Sequence, residues 1–160
     1  MWALGNKSQG VFDTLHRDLQ LIIQWALKFS PVDFGLSEGY RLPAKQFEYF
    51  KVGRELKNGL WIKTGATITN CDGYTLLSNH NYNPSLAFDF YAYVLGNPKL
   101  TYDKIHLTAI ATTFLNMAKF LLDDGLITHD IRWGANWDQD GELFYDQVFD
   151  DAPHVELITL

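Results

Sequence analysis

The sequence predicts an α+β fold, with helices and strands interspersed but without the strand–helix–strand rhythm of a parallel sheet. Two observations carry this. Apolar residues recur at helical spacing in an early segment, through Val11, Leu15, Leu19, Ile22 and Ala26. They do so again in a long one, with Leu107, Ile110, Ala111, Phe114, Ala118 and Leu121 on one face. Between them, Leu86, Phe88 and Phe90 alternate with Ala87, Asp89 and Tyr91, the period of two expected of a strand.

Taken in order, the first helix closes at Ser30-Pro31, and a short strand follows over 34–37. Pro43 suits the first turn of a second helix, which carries Phe47, Phe50 and Leu56 and ends near Gly59. Residues 60–77 are rich in Gly, Thr and Asn without a period, which predicts a long loop with room for one short strand. The strand containing Asp89 comes next. The longest helix covers 102–124, and Gly125 is its natural stop. In the tail, "IRWGANWDQDG" reads as a strand and turn, and 153–158 as a final strand.

At 160 residues the chain is long enough for a substantial core and is expected to form one domain over 1–160. No repeat, low-complexity tract or linker interrupts it. A net charge of −6, with no run of Lys or Arg, argues against a nucleic-acid binder that relies on phosphate contacts. The lone Cys71 excludes an internal disulfide and fits a reducing compartment. Within "TNCDG" it reads as a small turn residue rather than a nucleophile. The start, "MWALGNKSQG", lacks the basic start followed by a continuous apolar run that marks a signal peptide. Apolar stretches elsewhere are interrupted before the roughly 20 residues that span a bilayer. A soluble chain with no membrane partner is expected.

The chemistry centres on two of the five histidines. His16 and His106 fall within predicted helices and His129 in the loop after the last, where surface or helix-end roles suffice. His80 precedes the alternating strand, which turns Asp89 away from Phe88 and Phe90. A carboxylate at the edge of a core is costly unless it is paired, hydrogen-bonded or bound to a metal. In "DDAPHVELI", Val155 and Leu157 form one face of a strand and His154 and Glu156 the other. Two imidazoles and one carboxylate, His80, Asp89 and His154, are a common ligand set for catalytic zinc that leaves a position for water. Zinc brings the pKa of such a water to roughly 7. Asp151, three residues before His154, is the nearest carboxylate able to take its proton. Spacing alone does not bring these residues together, and scattered structural roles are the plainer explanation on that basis.

A resemblance changes the balance. "SNHNYNPSLAFDFYAY" and "DAPHVEL" resemble the zinc peptidases that include D-alanyl-D-alanine carboxypeptidases, vancomycin-resistance dipeptidases and the L-alanyl-D-glutamate peptidases of phage endolysins. The pattern Ser-x-His, Ala-x-Asp and a distant His-x-Glu-Leu is matched by Ser78, His80, Ala87, Asp89, His154, Glu156 and Leu157. "SEGYRLPAKQ" looks like the family's Gly-Tyr-Arg segment. "RWGANWD" looks like the Trp-Gly-x-x-Trp segment of the endolysin branch, so the match covers nearly the whole chain. The spacer "NYNPSL" is longer than in many members, and it preserves the ligand geometry if its extra residues bulge outward.

The resemblance implies a small domain of mixed helices and antiparallel sheet, of the Hedgehog/D-Ala-D-Ala peptidase type. It implies one Zn2+ per chain, bound by His80, Asp89 and His154, with Asp151 as general base. Arg41 would polarise the scissile carbonyl, and Ser78 and Glu156 would support the ligands by hydrogen bonds. Gln46, Tyr93, Trp133 and Trp137 are open between packing and substrate contact. Asp150 should point away from the metal, because neighbours on a strand-like segment face opposite ways.

The function so implied is hydrolysis of peptidoglycan stem peptides, first of all at the L-Ala–D-Glu bond, by a monomeric phage or prophage endolysin without a wall-binding module. Such an enzyme is made in the host cytoplasm and reaches the wall in the periplasm once another protein has breached the membrane. Two alternatives stay open: a D-Ala-D-Ala carboxypeptidase or dipeptidase, and a non-catalytic zinc-containing domain that binds peptidoglycan. Presence of both Asp151 and Arg41 weighs against the second. The acidic "DQDGELFYDQVFDD" could bind a cation, though a solvated acidic loop accounts for it.

Overall fold

A computed structural model describes residues 1–139 and 150–158. Its helices are α1 (Asn6–Phe12), α2 (Arg17–Phe29), α3 (Pro43–Lys51) and α4 (Lys104–Asp123). Its strands are β1 (Phe34–Glu38), β2 (Arg54–Lys57), β3 (Leu60–Lys63), β4 (Ala87–Ala92), β5 (Asp130–Trp133) and β6 (His154–Ile158). Four strands form an antiparallel sheet in the order β1-β4-β6-β5, and β2 and β3 form a separate hairpin. The fold is α+β, as the sequence predicts.

The sheet has two unlike faces, set by the alternation along its strands. One face carries Phe88, Phe90, Val155 and Leu157, all buried against α2 and α4. Phe114 of α4 meets the rings of Phe34, Phe88 and Phe90 edge-on, at centroid separations of 5.0, 5.2 and 5.2 Å. That geometry suits aromatic quadrupoles and adds to the apolar burial. By length and composition α4 alone among the described helices could cross a membrane. Its Leu107, Ile110, Phe114 and Leu121 are instead buried in the core. The opposite face of β4 and β6 presents Asp89, His154 and Glu156, and there the polar chemistry collects.

Two elements differ from the sequence reading. The helix expected through 11–26 is two helices, broken between Phe12 and Arg17. Within the break, Thr14 O accepts from Ser85 N at 2.8 Å, and His16 N donates to Ser85 O at 2.9 Å. The backbone there bonds to a distant segment, and Leu15 keeps its helix-like place only because it is buried. His16 lies outside both helices as the N-cap of α2, its Nδ1 accepting from Asp18 N at 3.2 Å.

The second difference concerns α3, which stops at Lys51, so that Leu56 belongs to strand β2. Gly53 adopts φ +70°, with Ala66 O packed where a Cβ would stand. Asn58 and Gly59, at φ +52° and +80°, then turn the chain into β3. Positive φ at both central residues is the signature of a type I′ hairpin, and Asn-Gly is its usual sequence. Beyond β3, residues 64–77 form the long loop that the sequence predicts.

Candidate active site

Asp89 and His154 stand opposite each other in the β4–β6 register. His80 arrives from a single 3₁₀ turn, Asn79–Asn81. Ser78 caps that turn: its Oγ accepts from His80 N at 3.4 Å, while its own N–H donates to Asn81 Oδ1 at 2.9 Å. Ser78 therefore holds the His80 backbone rather than its ring.

The spacer after His80 folds back compactly, through a cis Asn83-Pro84 bond and a hydrogen bond of 3.0 Å from Leu86 N to Asn79 O. Its Ser85 is the residue pinned to the α1–α2 turn. Despite its length, it brings the three side chains together. His80 Nε2 is 3.3 Å from Asp89 Oδ1 and 3.2 Å from His154 Nδ1, and His154 Nδ1 is 3.0 Å from Asp89 Oδ1.

The outward nitrogens set the tautomers. His80 Nδ1 faces Gly39 O at 2.7 Å and must donate to it, leaving a lone pair on Nε2. His154 Nε2 lies 3.1 Å from Glu156 Oε2 and donates there, leaving Nδ1 turned inward. Two imidazole lone pairs and a carboxylate oxygen thus converge with no donor between them. That arrangement fits a divalent cation bound by two nitrogens and one oxygen, with each imidazole oriented from behind by an oxygen acceptor.

Without a cation, a proton takes the same place. Burial would lower the His154 pKa, but its hydrogen bonds to Asp89 and Glu156 outweigh this and push it up to about 9. Asp89 is buried too, which would raise its pKa, yet the hydrogen bond from His154 and the closeness of His80 hold it well below the usual carboxylate range. Glu156 follows the same logic: burial opposes ionisation, but His154 and Arg132 bring its pKa down to about 2. Asn79 Nδ2 donates to Glu156 Oε2 at 2.8 Å, and Arg132 Nη2 to Glu156 Oε1.

A cleft of about 770 Å³ opens over this cluster, with Arg41, Tyr49, Thr69, Cys71, Trp137 and Asp151 among its walls. Arg41 is held on several sides. Its Nη2 is 2.6 Å from Glu38 Oε2, its Nη1 donates to Gln46 Oε1 at 2.7 Å, and its guanidinium lies 4.8 Å over the Tyr49 ring. Nη2 is also 3.9 Å from Asp89 Oδ2. Its Nε is buried and has no hydrogen-bond partner among the described residues.

Asp151 is placed by the chain around it. Its N–H donates to Gly134 O at 2.7 Å, and its carbonyl accepts from His154 N at 2.9 Å. Gly134 has no room for a Cβ, because Asp151 O and the Trp137 ring occupy that space. Burial raises the Asp151 carboxyl pKa, with the positive charge of His154 opposing. Asp150 is exposed and does not line the cleft.

The aromatic residues divide. Trp133 is core, 1% exposed, with its indole N–H on Ala152 O at 2.7 Å. Trp137 lines the cleft 5.5 Å from the His154 ring, and the Arg132 guanidinium lies 5.0 Å over its face. Tyr93 faces a separate hollow with Trp2 and His106. Of the acidic segment 138–151, residues 140–149 lie outside the described residues, so its reading as a solvated acidic loop, with a cation site as the alternative, stays a sequence expectation.

Glu38, Tyr49, Asn79 and Arg132 were not singled out by the sequence. Glu38 stands three residues before Arg41 in "SEGYR", a legible hint. Arg132 is the cross-strand partner of Glu156, a relation that exists only once β5 and β6 are paired.

A second His–Asp–His group, His16, Asp18 and His129, lies outside the cleft. Asp18 Oδ2 accepts from Thr128 N, Thr128 Oγ1, His129 N and His129 Nδ1 at 3.0, 3.2, 3.2 and 2.8 Å. With the His16 ring capping α2, these bonds account for the group as a clamp between α2 and the segment leading into β5.

Comparison first defines a class. The fold is similar to that in the crystal structure of the Serratia marcescens L-Ala D-Glu endopeptidase ChiX, with a TM-score of 0.65 and 23% identity over 99% of this chain and 90% of that one. At that identity the likeness is one of fold alone. No curated protein sequence matches the chain. Its family is nevertheless defined: over residues 1–158 it matches the phage L-alanyl-D-glutamate peptidases, and the chain belongs to that family.

Proposed function

We propose that the protein is a zinc peptidase that hydrolyses the L-Ala–D-Glu bond of peptidoglycan stem peptides, acting as a phage or prophage endolysin. The observation that carries this is the convergence of His80 Nε2, His154 Nδ1 and the Asp89 carboxylate beneath a cleft that also holds Arg41 and Asp151. Membership of the phage L-alanyl-D-glutamate peptidase family supports the choice of bond. We read residues 1–160 as one catalytic domain, monomeric, made in the host cytoplasm and acting on the wall from the periplasm.

His80, Asp89 and His154 would hold the ion, which supplies a Lewis acid and a water of lowered pKa. The chain's own residues do the rest. Asp151, with its pKa raised by burial, accepts the proton of the attacking water and passes it to the departing amine. Arg41, fixed by Glu38, Gln46 and Tyr49, faces the carbonyl oxygen as negative charge develops there. A preorganised guanidinium needs no rearrangement to stabilise that charge. Glu156 and Gly39 O keep the imidazoles oriented.

The test is mass spectrometry of soluble products from purified sacculi, with and without a chelator. Release of peptides with a new amino-terminal D-glutamate, lost on chelation, is the expected result. Release of D-alanine alone would transfer the protein to carboxypeptidase chemistry. Intact sacculi with a zinc-loaded protein would remove the hydrolase reading.

A further inference from the structure

Gln46 belongs to α3 and is 0% exposed, and its carboxamide lies between two parts of the cleft. Oε1 accepts from Arg41 Nη1 at 2.7 Å. On the other side, Nε2 donates to Cys71 O at 3.0 Å and to Thr69 Oγ1 at 3.3 Å. These partners allow the amide one orientation, since a guanidinium needs an acceptor and a carbonyl needs a donor. The loop it reaches rests directly on α3. Gly73, at φ +81°, has Pro43 O and the Gln46 side chain where a Cβ would stand. Thr69 and Cys71 line the same cleft as Arg41. In the proposed chemistry Gln46 only helps to fix Arg41, yet it also joins the residue facing the scissile carbonyl to the wall on which a peptide would lie.

We propose that Gln46 is a positioning residue that fixes Arg41 and the 69–71 wall of the cleft in one arrangement, so that peptide seating and carbonyl polarisation depend on a single buried amide. This rests on the peptidase reading for its catalytic half alone. Removing a buried partner leaves the remaining groups desolvated and unpaired, so the amide's loss is felt on both sides. Arg41 keeps Glu38 and Tyr49 without Gln46. On the loop side, Arg54 Nη2 remains, donating to Thr69 O at 2.9 Å and to Asn70 Oδ1 at 3.2 Å.

The chain supplies its own reporter. Cys71 is the only cysteine, and burial raises its thiol pKa, which slows alkylation while the loop is fastened. Two variants separate the two halves. In Gln46→Glu a carboxylate still accepts from Arg41 but sets an oxygen against Cys71 O. In Gln46→Leu both sides are lost. Iodoacetamide alkylation of Cys71 should quicken about tenfold in both, the ratio that corresponds to about 1.4 kcal/mol. On a soluble stem-peptide fragment, Gln46→Glu should raise KM more than it lowers kcat, while Gln46→Leu should lower kcat strongly as well.

Folding is checked by circular dichroism, and Gln46→Glu, nearer in size and polarity, stands in if the leucine variant does not fold. Unchanged alkylation together with unchanged KM in a folded variant would overturn the role of Gln46 while leaving the peptidase reading intact. If the wild-type protein cut no stem peptide but the variants still freed Cys71, the fastening of the wall would stand and the peptidase reading would fall.

Discussion

At the residue scale, Asp151 and His154 make distinguishable demands. Asp151 touches no imidazole in the ligand cluster by hydrogen bond, so Asp151→Asn should retain zinc by elemental analysis while hydrolysis falls by about 10²–10⁴-fold, the usual worth of a general base. Near-normal turnover would move the base elsewhere in the cleft. His154 titrates in the opposite sense from a carboxylate. Its metal-free pKa of about 9 lies above the ordinary 6.5, so its proton stabilises the metal-free fold fully below pH 6.5, and that stability is lost as pH rises through 9. A metal must displace this proton, so zinc affinity measured by chelator competition should rise steadily from pH 6.5 to 9. A flat profile would show that His154 is not a ligand. The proposed ligands His80, Asp89 and His154 stand out in the sequence as polar groups among apolar ones, but spacing alone does not bring them together, and it is the family resemblance that joins them. Glu38 and Gln46 were harder to read, since their roles depend on where one guanidinium comes to rest.

Elements carry the next layer. Gly134, just after β5, is joined to the Asp151–His154 segment by backbone hydrogen bonds, Asp151 N donating to Gly134 O at 2.7 Å and Gly134 N to His154 O at 2.8 Å. A methyl at Gly134 enters the space of Asp151 O. Gly134→Ala should therefore cost about 1–3 kcal/mol, as overpacking does, and should also shift Asp151. Loss of activity with zinc retained and a lowered Tm is the expected pattern, and a variant active and stable as wild type would contradict it. Element boundaries were legible only in part. The run of Val11, Leu15 and Leu19 keeps helical spacing across a break, because Leu15 is buried by a turn that points it the same way. The hairpin after α3 was missed in the sequence although Asn58-Gly59 is a usual type I′ pair, because Leu56 fits the apolar spacing of a prolonged helix equally well. Periodicity weighs side chains and overlooks the backbone partners that end an element.

For the molecule as a whole, the sheet separates labour between its faces: aromatic packing on one, titratable groups on the other. The second face concentrates Glu38, Asp89, Asp151 and Glu156 around two imidazoles and Arg41, and a bound cation would offset much of that negative charge. Chelation should accordingly lower Tm, and added zinc should restore it with a dependence on free metal, by about 2.7 kcal/mol at a hundred times Kd. A Tm indifferent to chelator would mean that the fold neither holds nor needs an ion. The α+β class was legible from two periodicities, whereas the strand order β1-β4-β6-β5 was not, because it pairs segments that sequence distance keeps apart.

That strand order has a consequence for the timing of synthesis. β6 follows every other described strand in the chain, yet it sits inside the sheet between β4 and β5. While a ribosome is still translating the preceding residues, β5 has no neighbour, Asp89 faces no imidazole from across the sheet, and Arg132 has no Glu156. The nascent chain can bury much of its helical core but cannot yet assemble the histidine pair. Whatever this site does, the growing polypeptide acquires it only once β6 has been made.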